Sequence, residues 1–194
     1  MLHETIVKLH SILNSHISTL YKISYDKAHN IHLSESSLQA VNFDKIPREY
    51  ARSVGCSSLP ASNDALYISP HGEWYFIEFK NGSIDKSNLY RKIYDSLIML
   101  LEIDIIPSMK FAREKINYIL VYNPNRYRKT QDSKSRDENI VYLLRLAKQE
   151  EKLFGIADFE HYLFFETHTY TPQLFHNQFV APMETLEQQE KADS

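Results

Sequence analysis

Asn63-Asp64-Ala65-Leu66-Tyr67-Ile68-Ser69-Pro70-His71-Gly72-Glu73-Trp74-Tyr75-Phe76-Ile77-Glu78-Phe79-Lys80 decides how this chain reads. Its two flanks alternate at period two or are dense in β-branched and aromatic residues, the pattern of half-buried strands. Residues 69–73 between them form a natural hairpin loop, with Pro70 and Gly72 supplying the turn. If that loop closes the hairpin, Ile68 faces Trp74, Leu66 faces Phe76 and Asp64 faces Glu78. Directly opposed residues carry Cβ atoms about 4.5–5.5 Å apart, so two carboxylates there repel unless a cation lies between them. Lys80 leaves the second strand on the same side as Glu78, while Tyr75, Ile77 and Phe79 point the other way, toward a core. The expected product is a polar pocket of two acids and one amine on a rigid sheet.

Downstream, Asn81-Gly82 ends the strand and Asp85 is the predicted N-cap of a helix over about 86–102. Leu89, Ile93, Leu97, Leu100 and Leu101, joined by Tyr90, Tyr94 and Ile98, cover most of that helix, which predicts packing on two sides. Residues 115–122 read as a central strand closed by Asn123-Pro124. A polar, basic loop at 125–136 leads to a helix over about 137–153, with Ile140, Leu143, Leu144 and Ala147 inward and Gly155 just past its end. Residues 160–168 are expected to be a last strand. Upstream, Leu2, Ile6, Leu9, Leu13, Ile17 and Leu20 recur at helical spacing and predict one amphipathic helix over 2–22. Residues 23–63 are mixed, with one short helical turn around 44–50. The acidic, Gln-rich stretch 183–194 is expected to fray as a disordered tail. With no repeat and no linker, 1–182 reads as a single α/β domain with a mixed central sheet flanked by helices.

Composition narrows the function. At 194 residues, 43% hydrophobic and 24% charged, the chain is long enough to bury a sizeable core. A net charge of −3 supplies no global basic field, so any nucleic-acid binding must come from a local patch. Arg126, Arg128 and Lys129 around Tyr127, then Lys134 and Arg136, are the best candidate for one. The single Cys56 excludes an intramolecular disulfide framework, and the chain reads as cytoplasmic. No apolar run approaches the roughly 20 residues of a membrane span. His29 and His32 lack a third ligand for zinc, and His161 and His168 fall on opposite faces of their expected strand. No Gly-rich phosphate loop and no G-x-S-x-G elbow is present, which argues against a P-loop, a dinucleotide fold and a serine hydrolase.

Asp64 followed by Glu78-Phe79-Lys80, in a helix–hairpin–helix–strand order, resembles the PD-(D/E)xK phosphodiesterase superfamily of restriction endonucleases, junction resolvases and repair nucleases. The resemblance covers about 45–122, and Asn63 stands where the name-giving proline would be. It implies a restriction-endonuclease-like αβββαβ core and metal-dependent hydrolysis of nucleic-acid phosphodiesters. Asp64, Glu78 and the Phe79 carbonyl would hold Mg²⁺ or Mn²⁺, hard cations that favour oxygen. Lys80 would be the catalytic amine. Glu49, from an earlier helix, would be a further ligand, and Arg91 or Lys92 on the following helix a polar contact to nucleic acid. The alternative is a catalytically inactive member of the same fold, an immunity protein or antitoxin that captures a protein partner. An acidic isoelectric point of 6.3, and Trp74 if exposed, would suit that role.

Overall fold

Leu66 lies opposite Phe76 and Ile68 opposite Trp74, so the hairpin closes in the predicted register. The Ser69 N–H donates to the Glu73 carbonyl at 2.8 Å, and Gly72 turns the loop at φ 80°, a left-handed value glycine reaches without a Cβ clash. These details come from a computed structural model that describes residues 11–127, 141–142, 144–146 and 148–192.

The described elements run α1 (Ser11–Asn14), β1 (Ile17–Thr19), α2 (Leu20–Ile23), β2 (Tyr25–Asp26), β3 (Ile31–His32), β4 (Gln39–Asn42), α3 (Ile46–Val54), β5 (Ala65–Ile68) and β6 (Trp74–Lys80). They continue with α4 (Lys86–Glu102), α5 (Met109–Lys115), β7 (Ile116–Tyr122), α6 (Pro124–Tyr127), β8 (Thr167–Tyr170), α7 (Pro172–Phe175), a π-helical turn (His176–Val180) and α8 (Ala181–Ala192). Six strands form one sheet in the order β1-β4-β5-β6-β7-β8, and β2 pairs with β3 apart from it. The pairs from β1 to β6 are antiparallel; β6–β7 and β7–β8 are parallel. The chain is thus a single α/β domain with a mixed central sheet flanked by helices.

Each sheet face buries its own core. Leu66, Ile68, Trp74, Phe76, Tyr118 and Leu120 meet Leu89, Ile93, Leu97 and Leu100 of α4. On the other face, Ala65, Tyr67, Ile77, Ile119 and Val121 meet Leu174, Phe175 and Phe179. Every residue of β7 is buried, which explains its nearly unbroken apolar run: a parallel strand covered on both faces has no solvent side to alternate toward.

Several expectations give way. Of the expected 2–22 helix, residues 2–10 lie outside the described residues, and the helical pieces Ser11–Asn14 and Leu20–Ile23 are separated by Ile17, Ser18 and Thr19, which pair with Val41, Ala40 and Gln39 as an edge strand. Two of those three residues are β-branched, and the sheet edge outweighs the helical spacing. The turn at 44–50 lengthens into α3, with Pro47 in its first turn and Gly55 in the left-handed position at its end. Helix α4 packs mainly on one side, leaving Tyr94 and Ile98 exposed at 40% and 49%. Leu144 is exposed at 58%, and Leu146 is the buried leucine of that stretch. Ile140, Leu143 and Ala147 lie outside the described residues. The last strand begins only at Thr167, because residues 156–159 form a 3₁₀ turn and the chain bends before joining β7. The stretch after Met183 is helical to Ala192, tied down by Ser36 Oγ donating to Glu184 and the Tyr67 hydroxyl donating to Glu187. Trp74 is buried at 5%, edge-on to Phe111, and offers no exposed aromatic surface. Among the described residues no helix is long and apolar enough to cross a membrane.

Candidate functional site

The ladder between β5 and β6 ends at Ala65 and Ile77. Asp64 and Glu78 are the next residue on each side, and both fall on the α4 face of the sheet. The Asp64 backbone is pinned by the Phe43 N–H donating to its carbonyl at 2.9 Å, and its Oδ2 accepts from the Phe79 N–H at 2.7 Å. Glu78 is fully buried. Lys80, one pleat further along β6, places Nζ 2.6 Å from Glu78 Oε1. The expected trio is therefore assembled on one face, near the carboxyl end of the parallel strands, where open α/β sheets bind their ligands.

A second amine completes it. Lys92 Nζ lies 2.6 Å from Glu78 Oε1 and 3.0 Å from Asp64 Oδ1, so one ammonium bridges both acids. Helix α4 delivers it: Asp85 caps the N-terminus by accepting from the Ser87 N–H at 2.9 Å, and Leu89, Ile93 and Leu97 dock the helix on the sheet. Lys92, the candidate polar contact to nucleic acid, directs its ammonium at Asp64 and Glu78. A signal for this was in the sequence. Lys92 sits at i+3 from Leu89, inside the stripe 89, 93, 96, 97 and 100 that faces the core, and a lysine there needs a buried partner.

Burial pushes the Glu78 carboxyl up to about 7, helped by the negative charge of Asp64 and opposed by Lys92 and Lys80. Burial works to lower the Lys92 pKa, but Asp64 and Glu78 outweigh it and the net shift is upward, so the shared proton stays on the amine. Among the described residues, two polar atoms at the site lack partners: Glu78 Oε2 and the Tyr118 hydroxyl are buried without a hydrogen bond. Burial, then Glu78 and Asp64, hold the Tyr118 phenol well above its ordinary range. A cleft of about 290 Å³ opens onto Asp64, with Asp44, Asp26, Tyr25 and Asn81 on its walls. Asn81 ties two of those walls together by donating to Asp26 Oδ2 and accepting from Asn123 Nδ2, both at 2.7 Å.

Among the described residues, the candidates Glu49, Arg91 and Arg126 are not brought to this point by any contact. Glu49 accepts from His16 Nε2 at 2.5 Å, the ring supplying the proton. Arg91 is exposed and pairs along its own helix with Asp95. Arg126 lies on α6, beyond the end of β7. Arg128, Lys129, Lys134 and Arg136 lie outside the described residues.

The donor set fits a hard divalent cation in kind: a main-chain carbonyl at Phe79 and two carboxylates, of which Glu78 has one oxygen, Oε2, without a partner among the described residues. Among the described residues, however, no group of three or more His, Cys, Asp or Glu side chains is placed to hold a metal. A cation shared by Asp64 and Glu78 also has to move the Lys92 ammonium from between them. No family model, curated protein or solved structure matches the chain. Fold and site alone define an α/β protein with a buried acid–amine cluster at the carboxyl end of its sheet.

Proposed function

We propose that this chain is a metal-dependent phosphodiesterase of the PD-(D/E)xK type, acting on nucleic acid. The observation that carries the reading is the convergence of Asp64, Glu78 and Lys80 on one sheet face, with Glu78 fully buried and one of its oxygens unpartnered. The order β4–β5–β6 antiparallel, helix α4, then β7 parallel to β6 supports the αβββαβ core of that superfamily.

Asp64, Glu78 and the Phe79 carbonyl would hold Mg²⁺ or Mn²⁺. When bound, such an ion polarises a phosphoryl oxygen and lowers the pKa of a coordinated water. Lys80 orients the attacking water or offsets charge developing on the phosphate. Before the ion binds, Lys92 holds the two carboxylates together and keeps the charge of the buried pair compensated; the ion would take over that bridging position. The backbone bond from Phe79 N–H to Asp64 fixes one carboxylate, so the site is organised on strands and not on a loop.

The test is cleavage of labelled single- and double-stranded DNA and RNA, with Mg²⁺ or Mn²⁺ and with chelator. Metal-dependent cleavage should vanish in Glu78→Ala and Lys80→Ala while circular dichroism shows folded protein. Cleavage that survives both changes would place the activity elsewhere.

A second reading is an inactive binding protein on the same scaffold, with a protein partner such as a basic toxin. The observation in its favour is the Lys92 ammonium, which already occupies the bridging position between the acids. Its signature is a folded protein that takes up no Mn²⁺.

A further inference from the structure

On the face of the sheet away from Glu78, and toward the opposite strand ends, lies a second cleft of about 330 Å³. Tyr75 and Asn117, paired near the amino ends of β6 and β7, line its floor, and His168 and Tyr170 of β8 extend it. Its far wall comes from the π-helical turn, which presents Gln178 and Phe179. Inserted π turns are rare and gather at functional sites.

The chemistry of this cleft is consistent. Its walls are flat and aromatic: Tyr75 meets Phe179 edge-on at 4.9 Å, and His168 stacks on Tyr170 at 5.1 Å with the rings 20° apart. Its charged groups are the carboxylates Glu73 and Glu166, with His168, Gln178 and the tyrosine hydroxyls able to donate beside them. Glu73 accepts from the Tyr75 hydroxyl at 2.8 Å through Oε2 alone, leaving Oε1 open. Glu166 is half exposed and meets His168 Nε2 at 3.4 Å, while His168 Nδ1 meets Glu150 at 3.1 Å. Asn117 is only 6% exposed; its Nδ2 donates weakly to the Trp74 carbonyl at 3.4 Å, and among the described residues nothing donates to its Oδ1. Among the described residues no lysine or arginine lines the cleft.

Among the described residues an anion meets two carboxylates and no lysine or arginine, and a neutral apolar ligand would cover the Asn117 amide oxygen and both carboxylates without replacing their hydration. A planar cation suits the aromatic walls and the two carboxylates together. We propose that this cleft is a binding site for a guanidinium group. Its plane stacks on aromatic faces, its donors fork to Glu73, Glu166 and Asn117, and it is weakly hydrated compared with an ammonium. The cleft is near the lower limit of small-ligand sites, enough for one such head and a short stem. Two sources share this chemistry, a free guanidino compound and an arginine side chain of another protein. The site is independent of the acid–amine cluster and stands whatever the outcome there.

The experiment titrates the full chain with arginine amide, with its neutral urea isostere citrulline amide, and with a blocked arginine tripeptide, followed by calorimetry and amide-shift NMR. Arginine amide should bind one to one, with shifts at Tyr75, Asn117 and Phe179. Citrulline amide should bind at least roughly tenfold more weakly, the loss of one charge-assisted interaction. The double variant Glu73→Gln/Glu166→Gln, whose side chains lie at the surface rim, should weaken arginine amide by a similar factor and leave the fold intact. Tighter binding of the tripeptide assigns the source to a protein; tighter binding of arginine amide assigns it to a free compound. Equal binding of the charged and neutral isosteres, undiminished binding in the double variant, or no binding of either arginine probe overturns the proposal.

Discussion

Replacing Lys92 with methionine removes the one charge that Asp64 and Glu78 share, while keeping most of the side chain's volume. Lys92 Nζ touches both acids at 3.0 and 2.6 Å, with its side chain 17% exposed and that of Glu78 not at all. Removing one partner of a buried ion pair costs about 3–5 kcal/mol, because the other charge stays behind. Protonation limits that cost. In the wild type, Glu78 has its pKa raised from 4.5 to about 7, so between those values the folded chain holds a proton that the unfolded chain has lost. Native stability therefore falls as pH rises through that window, by about 3 kcal/mol over the full span. Without Lys92 one of the two lowering influences on Glu78 is gone, and its pKa climbs above the wild-type value. At pH 5 Glu78 is then neutral in the folded variant, only the Asp64 contact is lost, and the cost is about half that at pH 8.5. Urea unfolding of wild type and Lys92→Met at pH 5, 7 and 8.5 measures this. The predicted result is a deficit of about 3–5 kcal/mol at pH 8.5 that shrinks steadily toward acid. A deficit independent of pH, or under about 1 kcal/mol throughout, would refute the shared-ammonium argument.

Three further substitutions follow from the same geometry. Tyr118→Phe deletes a buried hydroxyl that has no partner and keeps the ring stacked on Phe164, so stability should rise by about 1–2 kcal/mol; a loss in chemical denaturation would mean the hydroxyl is bonded after all. Asp85→Ala removes the N-cap of the helix that carries Lys92 and should cost about 1 kcal/mol, or about 2–4 °C in Tm by calorimetry. Gly155→Ala should cost about 1–3 kcal/mol, because Gly155 lies at φ 74° and an added Cβ would collide with the Tyr90 hydroxyl that donates to the Phe154 carbonyl; an unchanged Tm would contradict it.

The hairpin and helix α4 were legible because their signals are local. The register follows from loop length and the pleat alone, and Asp85 with the apolar stripe after it marks both the start and the buried face of α4. The edge strand β1 was not legible. Ile17 and Leu20 fit a helical spacing, and only pairing with Gln39–Val41, distant in sequence, makes 17–19 extended. Helix α8 was misjudged for a related reason: its composition is that of a solvated tail, and its order comes from Ser36 and Tyr67 reaching it across the fold. At the site, Asp64, Glu78 and Lys80 were legible from strand alternation. Lys92 was identified for its charge but not its direction, which its place between Leu89 and Ile93 already fixed. Glu49 illustrates the opposite case. It is a carboxylate on an earlier helix, but its direction is set by His16, a contact no spacing rule supplies.

The central claim is that Asp64 and Glu78 form a divalent-cation site, and calorimetric titration of Mn²⁺ into the purified chain tests it most directly. One-to-one uptake is expected in the wild type and is abolished in Glu78→Gln and in Asp64→Asn, both still folded by circular dichroism. Weaker uptake is also expected as pH falls below about 7, where the buried Glu78 carboxyl takes up its proton and competes with the metal. A wild-type chain that takes up no Mn²⁺ at pH 8, or binds it as well after Glu78→Gln, would contradict the claim.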